Sequence, residues 1–286
     1  MLNDEKSVSR ADNDVRYVPE LINCNDKMDF CSVAHQSRYQ WVLDSFDLSD
    51  KIILDFGCGS GYGAFLLSKK TQLIHAVDLS STAIKYAKFH YNSNNLDFFC
   101  CDATSKDGIS CLSKNYDIIT SFDVIEHLER YFEYLENVVQ LIHENGIFII
   151  GCPNRLQTFK WNCGWNPFHF QEFSAHQLKK ILSFFFEEVK LIAQDFHDPN
   201  KKELARKSNR GENEKYFIQF FKTLLPKPIK DLSKRIISPS VIKIKPNFQI
   251  KDITFIVSPE ERTIDNAFGL MAICSKPKKN YPIINH

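Results

Sequence analysis

Short apolar runs alternate with amphipathic stretches through the first two thirds of the chain. The apolar runs predict strands at Lys51–Phe56, Leu73–Val77, Leu96–Cys101, Tyr116–Phe122 and Ile147–Cys152. Several are apolar almost throughout, as is typical of parallel strands covered on both faces. The intervening stretches predict helices at Ala64–Lys69, Ser81–Asn92 and Tyr131–His143. This alternation indicates an α/β fold with a doubly wound sheet.

The pattern changes in the last third of the chain. A helix is predicted at Ala175–Phe185, then a strand at Glu188–Ala193 and a final strand at Ala267–Cys274. Between these two strands the composition becomes basic, with fourteen Lys and Arg against four Asp and Glu from Pro199 to Lys251. We therefore divide the chain into an N-terminal helical cap (1–48), a Rossmann-like domain (49–194), a basic insertion (195–251) and the final strand or strands with a C-terminal tail (252–286).

Composition narrows the class of protein without identifying it. The 286 residues are 43% hydrophobic and 25% charged, with a formal net charge of +1, so there is no global signature of nucleic-acid binding. The polar N-terminus, 1–14, lacks the apolar core of a signal peptide, and no run reaches the ~20 apolar residues of a membrane span. The nine cysteines form no CxxC pair. We expect a cytoplasmic protein with free thiols and without a bound metal.

Glycines follow the first predicted strand in the pattern Asp55-x-Gly57-x-Gly59-x-Gly61, and Gly63 continues the alternation. Glycine at a strand-to-helix turn permits positive φ and lets the backbone approach a ligand closely. The helix that follows presents unpaired N–H groups at its first turn. The turn therefore predicts a site for a nucleotide-like cofactor.

Carboxylates lie at three successive strand ends. Asp55 ends the first strand, Asp78 the second and Asp102 the third. The carboxyl ends of parallel strands share one edge, so these side chains converge on one crevice. Asp78 is placed to bind ribose hydroxyls and Asp102 to reach an adenine amine. Each also has a structural interpretation, Asp55 and Asp102 as turn residues and Asp78 as a helix cap.

A dinucleotide site is the first alternative. Gly59-x-Gly61-x-x-Ala64 fits a G-x-G-x-x-A fingerprint, and Asp78 follows at the spacing that this fingerprint needs. Asp55 argues against it, because a carboxylate before the glycines gives no benefit to a pyrophosphate. An NAD(P)-dependent oxidoreductase therefore stays open as an alternative.

Several segments together resemble class I S-adenosylmethionine-dependent methyltransferases. They are the glycine turn, Asp78, Asp102, the run from Tyr116 to Leu128, and the strand 146–154 with its Pro-Asn end. Three further segments resemble methyltransferases of bacterial glycan gene clusters, namely 35–39, 166–174 and 266–272. The resemblance implies a seven-stranded sheet with an antiparallel last strand and S-adenosyl-L-methionine as cofactor.

The same resemblance implies roles for particular residues. Gly57, Gly59 and Gly61 would lie against the methionine and ribose of the cofactor. The other implied cofactor-binding residues are Arg38, Tyr39, Asp55, Asp78, Leu79, Asp102, Ala103, Phe122 and Asp123. Arg38 would pair with the methionine carboxylate, although a solvated surface charge is an equal interpretation.

Two histidines are candidates for the general base that a hydroxyl acceptor needs. His127 follows the fourth strand, and His169 lies in an aromatic-rich loop, 155–173. A locally hydrogen-bonded structural histidine is the alternative at His127. Asp123-x-x-Glu126-His127 resembles the acidic cluster of ubiquinone-biosynthesis O-methyltransferases, where a divalent ion can assist, but we expect ordinary helix-start carboxylates here.

The basic insertion has three interpretations. It contains an apolar stretch, 216–225, which is followed by Pro226, Pro228 and several lysines. It could be a solvated lid, a surface that touches an anionic membrane or lipid-linked substrate at the inner face of the membrane, or a guide for an anionic substrate. Nucleic acid is not expected as a partner, because no stacking motif recurs among the charges.

The sequence thus predicts transfer of a methyl group from S-adenosyl-L-methionine to a small molecule or glycan. Oxygen is the expected acceptor atom, and bacterial surface-polysaccharide synthesis is the expected pathway from the resemblance alone. A non-catalytic, methyltransferase-like partner subunit is the remaining alternative.

Overall fold

A computed structural model describes residues 30–112, 115–160, 169–207, 249–257 and 261–279. These residues form an eight-stranded sheet. Its strands are β1 (Ile52–Phe56), β2 (Leu73–Asp78), β3 (Leu96–Cys100), β4 (Tyr116–Phe122), β5 (Ile142–Pro153), β6 (Phe186–Phe196), β7 (Ile253–Val257) and β8 (Gly269–Pro277).

The strand order is β3-β2-β1-β4-β5-β8-β6-β7. Strands β1 to β5 are parallel neighbours, whereas β8 is antiparallel to both β5 and β6. The chain order reverses between β1 and β4, which creates a crevice at the carboxyl ends of these strands. The fold thus places the glycine turn and the segment after β4 side by side.

Helices cover both faces of the sheet. They are α1 (Phe30–Ser45), α2 (Tyr62–Ser68), α3 (Ser81–His90), α4 (Tyr131–Leu141), α5 (Arg155–Lys160), α6 (Ala175–Phe185), α7 (199–207) and α8 (Glu261–Asn266). Ser80 caps α3 by accepting a hydrogen bond from the Ala83 amide, and Ser174 forms a capping box with Gln177 on α6. Serine is among the residue types preferred at a helix N-cap, so both helix starts follow from the local sequence.

The hydrophobic core has two layers separated by the sheet. One layer packs α4 and α6 against the sheet through side chains such as Tyr134 and Leu178, and the other packs α1, α2 and α3. A smaller cluster joins the start of α1 to β6 and β8 through stacked and edge-on rings of Phe30, Phe196 and Phe268. Burial on both faces explains why the central strands read as continuous apolar runs.

The predicted doubly wound fold is confirmed, but the seven-strand count is wrong by one. The additional strand is β7, which pairs antiparallel with β6 at the edge of the sheet. Gly146 falls between the predicted helix Tyr131–His143 and the predicted strand Ile147–Cys152, but the structure places it inside a strand. Helix α4 ends at Leu141, β5 begins at Ile142, and Gly146 lies inside the strand beside an irregularity in the β4–β5 register.

Much of the predicted basic insertion and the first part of the N-terminal cap lie outside the described residues. Helix α1 is the described part of the cap, and β6 and α7 contain the described start of the insertion. The apolar stretch 216–225 also lies outside the described residues, and so do three aromatic residues of the aromatic-rich loop 155–173, namely Trp161, Trp165 and Phe168. Among the helices that are described, none combines the length and the apolarity needed to cross a membrane.

Candidate active site

The glycine turn between β1 and α2 adopts the backbone that only glycine takes readily. Gly57, Gly59 and Gly61 have φ of 92°, 53° and 86°. The amides of Gly57 and Cys58 both donate to the Val77 carbonyl, each at 2.8 Å, which holds the turn against β2. Positive φ at alternate positions directs the chain sharply from strand to helix.

The surroundings of these glycines differ. A Cβ on Gly57 would lie 2.3 Å from Val124, and a Cβ on Gly61 would lie 2.6 Å from the Phe98 ring. A Cβ on Gly59 would meet no described atom within 4 Å. Gly57 and Gly61 are therefore required by packing, whereas Gly59 borders open space where a ligand can approach the backbone.

Asp78 at the end of β2 supports the turn directly. Its Oδ2 accepts the Gly59 amide at 2.8 Å and its Oδ1 accepts the Ser80 amide at 2.9 Å. Asp78 and the following Leu79 are half-buried. Each carboxylate oxygen has two lone pairs, so these bonds leave Asp78 able to accept from ribose hydroxyls as well.

Asp102 lies after β3 in a turn of its own. Oδ1 accepts from the Thr104 amide and hydroxyl at 2.8 and 2.7 Å, and Oδ2 lies 3.2 Å from Arg130. The neighbouring Ala103 carbonyl accepts from Asn137 at 2.9 Å. Both the turn role and the predicted adenine role are compatible with this arrangement, because Asp102 stays half-buried at the same sheet edge as Asp78.

Asp55 is fully buried behind the turn. The Tyr39 hydroxyl donates to its carboxylate at 3.1 Å, and the Thr120 hydroxyl donates at 2.8 Å. Burial raises the pKa of Asp55 to about 7, even though both hydroxyl groups favour the ionised form. Asp55 and Tyr39 thus join α1, β1 and β4, which is the structural role that the sequence left open.

Arg38 is buried rather than exposed. Its Nη1 lies 2.6 Å from Asp123 Oδ1, and its Nε donates to Gln194 at 2.9 Å. Burial disfavours ionisation of Asp123, but the adjacent Arg38 charge prevails and holds the pKa of Asp123 below its ordinary value. The solvated-charge interpretation of Arg38 is therefore wrong, and its predicted contact with the cofactor carboxylate stays a prediction.

Asp123 and Phe122 lie where β4 enters the crevice. Asp123 has a φ of 55°, an uncommon value for a residue other than glycine, and its amide donates to the Gly151 carbonyl at 2.8 Å. The Phe122 ring is buried edge-on against Tyr39, with centroids 5.0 Å apart. This geometry aims the Asp123 side chain at Arg38, beside the glycine turn.

His127 and His169 lie together although 42 positions separate them in the chain. His127 closes the short turn Ile125–His127 after β4, and its ring centroid lies 4.8 Å from that of His169, edge to face. Two bonds hold the two loops together, from the Phe170 amide to the Glu126 carbonyl at 2.9 Å and from the Gln171 side chain to the Leu128 carbonyl at 3.0 Å. Both predicted base candidates thus belong to one cluster.

Two carboxylates adjoin these histidines. Glu172 Oε1 lies 2.9 Å from Nδ1 of His169. Glu126 is 1% exposed, and neither of its carboxylate oxygens has a hydrogen-bond partner among the described residues. Burial, reinforced by the Asp123 charge, holds the pKa of Glu126 well above its ordinary value.

Sequence reasoning missed two residues that organise the site. Glu172 could have been found, because it follows His169 by three positions. Gln194 gave no local signal. It lies inside β6 and reaches Arg38, the Ala34 carbonyl at 2.7 Å and the Ser37 hydroxyl at 3.0 Å.

The described aromatic residues of the loop 155–173 lie partly at the surface and partly in the core. Phe170 is half exposed, whereas Phe173 is buried in the layer of α4 and α6.

Comparison with known proteins agrees with this geometry. Residues 54–148 match a sequence family described as a methyltransferase domain. The chain is 24% identical over 271 residues to a probable S-adenosylmethionine-dependent methyltransferase of Mycobacterium tuberculosis, covering 92% of this chain and 88% of that protein. It is 27% identical to the ubiquinone biosynthesis O-methyltransferase of Rickettsia canadensis, covering 63% of this chain and 82% of that protein.

Solved structures show the same fold. A Thermotoga maritima methyltransferase aligns with a TM-score of 0.53 at 14% identity, over 86% of this chain and 90% of that chain. The N-methyltransferase NodS of Bradyrhizobium japonicum, solved with S-adenosyl-L-homocysteine, aligns with a TM-score of 0.51 at 14% identity, over 67% of this chain and 91% of that chain. Residues 54–148 thus resemble a methyltransferase domain, the solved structures show the same fold, and the relatives support S-adenosyl-L-methionine as the cofactor.

Proposed function

We propose that the protein methylates a hydroxyl oxygen of a small molecule or glycan. The observation that carries this proposal is the His127–His169 pair beyond β4, at the carboxyl edge that also contains the glycine turn. A hydroxyl is a weak nucleophile until its proton is removed, and an imidazole is suited to remove it near neutral pH. A histidine pair in this crevice is therefore more useful to an oxygen acceptor than to an already nucleophilic amine.

The reaction is an in-line displacement at the methyl carbon. The acceptor oxygen forms the new O–CH₃ bond while the S–CH₃ bond breaks, and the sulfonium becomes the neutral thioether of S-adenosyl-L-homocysteine. The hydroxyl proton passes to His127 or His169. Because the donor is already activated by its charge, the protein contributes mainly by aligning the two reactants.

The remaining residues hold the cofactor in this scheme. Gly59 permits close approach of the backbone, Asp78 accepts from the ribose, and Asp102 and Ala103 border the adenine. Arg38, kept in place by Asp123 and Gln194, supplies the positive charge for the methionine carboxylate. The Glu172 carboxylate orients His169 by accepting from Nδ1–H, which puts the imidazole lone pair on Nε2.

Oxygen as the acceptor atom has further support from the ubiquinone biosynthesis O-methyltransferases among the relatives. The glycan class and a role in bacterial surface-polysaccharide synthesis rest on the motif resemblance alone. The lysine-rich segment would suit an acceptor that is phosphorylated or lipid-linked at the inner face of the membrane.

Incubation with a methyl-labelled donor and a panel of phenolic and sugar acceptors tests the proposal. We expect an O-methyl product by mass spectrometry and a strong loss of turnover in His127→Ala or His169→Ala. The exposed His176 supplies a matched control, and His176→Ala should retain full turnover. Cofactor affinity, measured by calorimetry, should change little in all three variants.

Three results would contradict the proposed function. Methylation on nitrogen would exclude the hydroxyl acceptor, and full turnover in both histidine variants would exclude the base. S-adenosyl-L-homocysteine binding without any labelled product across the panel would favour a non-catalytic partner subunit.

A further inference from the structure

The Glu126 carboxylate lacks an explanation within the fold. Its side chain is 1% exposed, and neither oxygen has a hydrogen-bond partner among the described residues. A buried carboxyl group without partners costs free energy whether or not it is ionised, so such groups are normally paired, hydrogen-bonded or bound to a metal. Proton transfer in the proposed reaction does not require Glu126, so its burial needs another cause.

The two histidines supply the other ligands that such a carboxylate would need. One ligand atom from each of Glu126, His127 and His169 lies within 4.8 Å of the other two. Two ligands on one ion with bonds of about 2.1 Å lie about 3–4 Å apart, so small side-chain rotations would complete the site. The three ligands come from two loops that are fixed to each other by the Phe170–Glu126 backbone bond.

The next layer of contacts has the pattern of a metal site. Glu172 contacts His169 Nδ1 at 2.9 Å, and a histidine that ligates through one ring nitrogen commonly donates from the other to a carboxylate. Asp123, by contrast, is already paired with Arg38 at 2.6 Å. The arrangement therefore selects Glu126 rather than Asp123 as the carboxylate ligand.

The surrounding carboxylates also favour a cation. Asp123 and Glu172 both act on Glu126 electrostatically, and Arg38 is a positive side chain that acts on it. A divalent cation bound by Glu126 would offset this repulsion and give the buried carboxylate a partner.

We infer that Glu126, His127 and His169 bind a divalent first-row transition-metal ion. Two imidazoles and one carboxylate suit Mn²⁺, Co²⁺ or Zn²⁺ better than Mg²⁺ or Ca²⁺, which prefer oxygen ligands throughout. This inference departs from the sequence-based expectation of no metal. Binding of the ion stands on the geometry alone, whereas its use in methyl transfer rests on the proposed function. With the ion bound, the two histidines would act as ligands and not as free bases, and the cation would promote loss of the acceptor proton to water by lowering the pKa of the hydroxyl.

Metal titration of the full-length, chelator-treated protein tests the inference. Mn²⁺ binding is followed by electron paramagnetic resonance, and Co²⁺ binding by its visible absorption. We expect one ion per chain and at least about tenfold weaker binding in Glu126→Gln and His169→Asn. The exposed Glu129 and His176 provide matched controls, and Glu129→Gln and His176→Asn should bind as the unmodified protein does.

Thermal unfolding supplies a second measurement. Mn²⁺ should raise the unfolding temperature of the parent protein and should no longer stabilise Glu126→Gln. Absence of stoichiometric binding of Mn²⁺, Co²⁺ and Zn²⁺, or equal binding by all four variants, would overturn the inference.

Calorimetry with S-adenosyl-L-homocysteine separates this inference from the proposed function. A protein that methylates hydroxyls but binds no metal would refute the ion site alone. A protein that binds the ion at these residues but methylates no hydroxyl would refute the proposed function and leave the site intact.

Discussion

At the scale of single residues, the glycines of the first turn perform different tasks. Gly57 makes room for Val124 and Gly63 makes room for Tyr39, whose ring would lie 2.1 Å from an added Cβ. Gly59 faces open space. Packing therefore requires glycine at Gly57, Gly61 and Gly63, whereas at Gly59 it leaves the backbone open to a ligand.

Substitution at Gly59 should separate ligand binding from folding. Gly59→Ala places a side chain at a φ of 53°, which costs roughly 1–2 kcal/mol, without a clash among the described atoms. We expect a folded protein whose affinity for S-adenosyl-L-homocysteine falls at least about tenfold by calorimetry, because the new methyl group occupies the ligand's approach. Gly57→Ala should instead lose much more thermal stability. Unchanged affinity in folded Gly59→Ala would place the ligand elsewhere.

Asp55 should make stability depend on pH in a definite direction. Its ordinary pKa of 3.8 rises to about 7 in the fold, because burial disfavours the charge. Between these values the unfolded chain releases the proton while the folded chain keeps it. The contribution of Asp55 to stability is therefore complete below pH ~4 and is lost as pH rises to ~7, by a total on the order of 4 kcal/mol.

Asp55→Asn isolates this effect, because asparagine keeps the shape and does not ionise. We expect the melting temperature of the variant relative to the parent to increase from pH 4 to pH 7 and then to level off. The exposed Asp50 provides the control, since Asp50→Asn should show no such trend. A difference between Asp55→Asn and the parent that stays constant with pH would show that Asp55 is ionised throughout.

At the scale of elements, α1 is held on the sheet by polar contacts as well as by packing. Gln194 of β6 is fully buried and contacts Ala34, Ser37 and Arg38 of that helix. A Cβ on Gly269 of β8 would lie 2.5 Å from the Gln194 amide oxygen, so this glycine makes room for the contact. Gln194 therefore links the cap helix and the Arg38–Asp123 pair to the antiparallel part of the sheet.

Loss of this link should destabilise the protein and loosen α1. Gln194→Leu leaves the Ala34 carbonyl and the Arg38 Nε without their buried partner, which should cost about 2–4 kcal/mol. Hydrogen exchange should accelerate more in α1 than in β1 or β4. The exposed Gln140 on α4 offers the control, and Gln140→Leu should be near neutral. Uniform acceleration across the sheet would show that Gln194 does not act on α1 specifically.

The elements differ in how far the sequence predicts them. The central strands are predictable because burial on both faces leaves continuous apolar runs in the sequence. Their helices are predictable where a serine cap marks the first turn, as Ser174 does for α6. The edge strand β7 reads Ile-Thr-Phe-Ile-Val, a run as long as β1 with residues that favour strands, but it follows the basic insertion directly, and the sequence gives no signal that it pairs with β6 at the edge of the sheet. Gly146 was misplaced because β5 begins with an irregular segment before its regular pairing from Ile147.

At the scale of the whole molecule, one part of the candidate site is predictable from the sequence and another part is not. The predicted cofactor-binding residues follow strand ends in order, so the parallel topology alone predicts that Asp78 and Asp102 share one edge. The contacts of Arg38 with Gln194 and of His127 with His169 join distant positions, and tertiary packing decides them. Such contacts leave no periodic signal in the sequence. The sequence therefore predicts several residues of the site but not the side chains that contact them.

Ligand binding should stabilise the entire fold, because the crevice is formed by several strands. S-adenosyl-L-homocysteine at 100 times its dissociation constant should add about 2.7 kcal/mol and raise the melting temperature. Asp78→Asn removes the charge that accepts from the Gly59 amide and that is predicted to accept from the ribose, so affinity should fall at least about tenfold and the shift should shrink. Asp107→Asn, at an exposed position soon after β3, should keep the full shift. An equal shift in both variants would mean that Asp78 supports only the turn, and the ribose would then have to be bound by another residue.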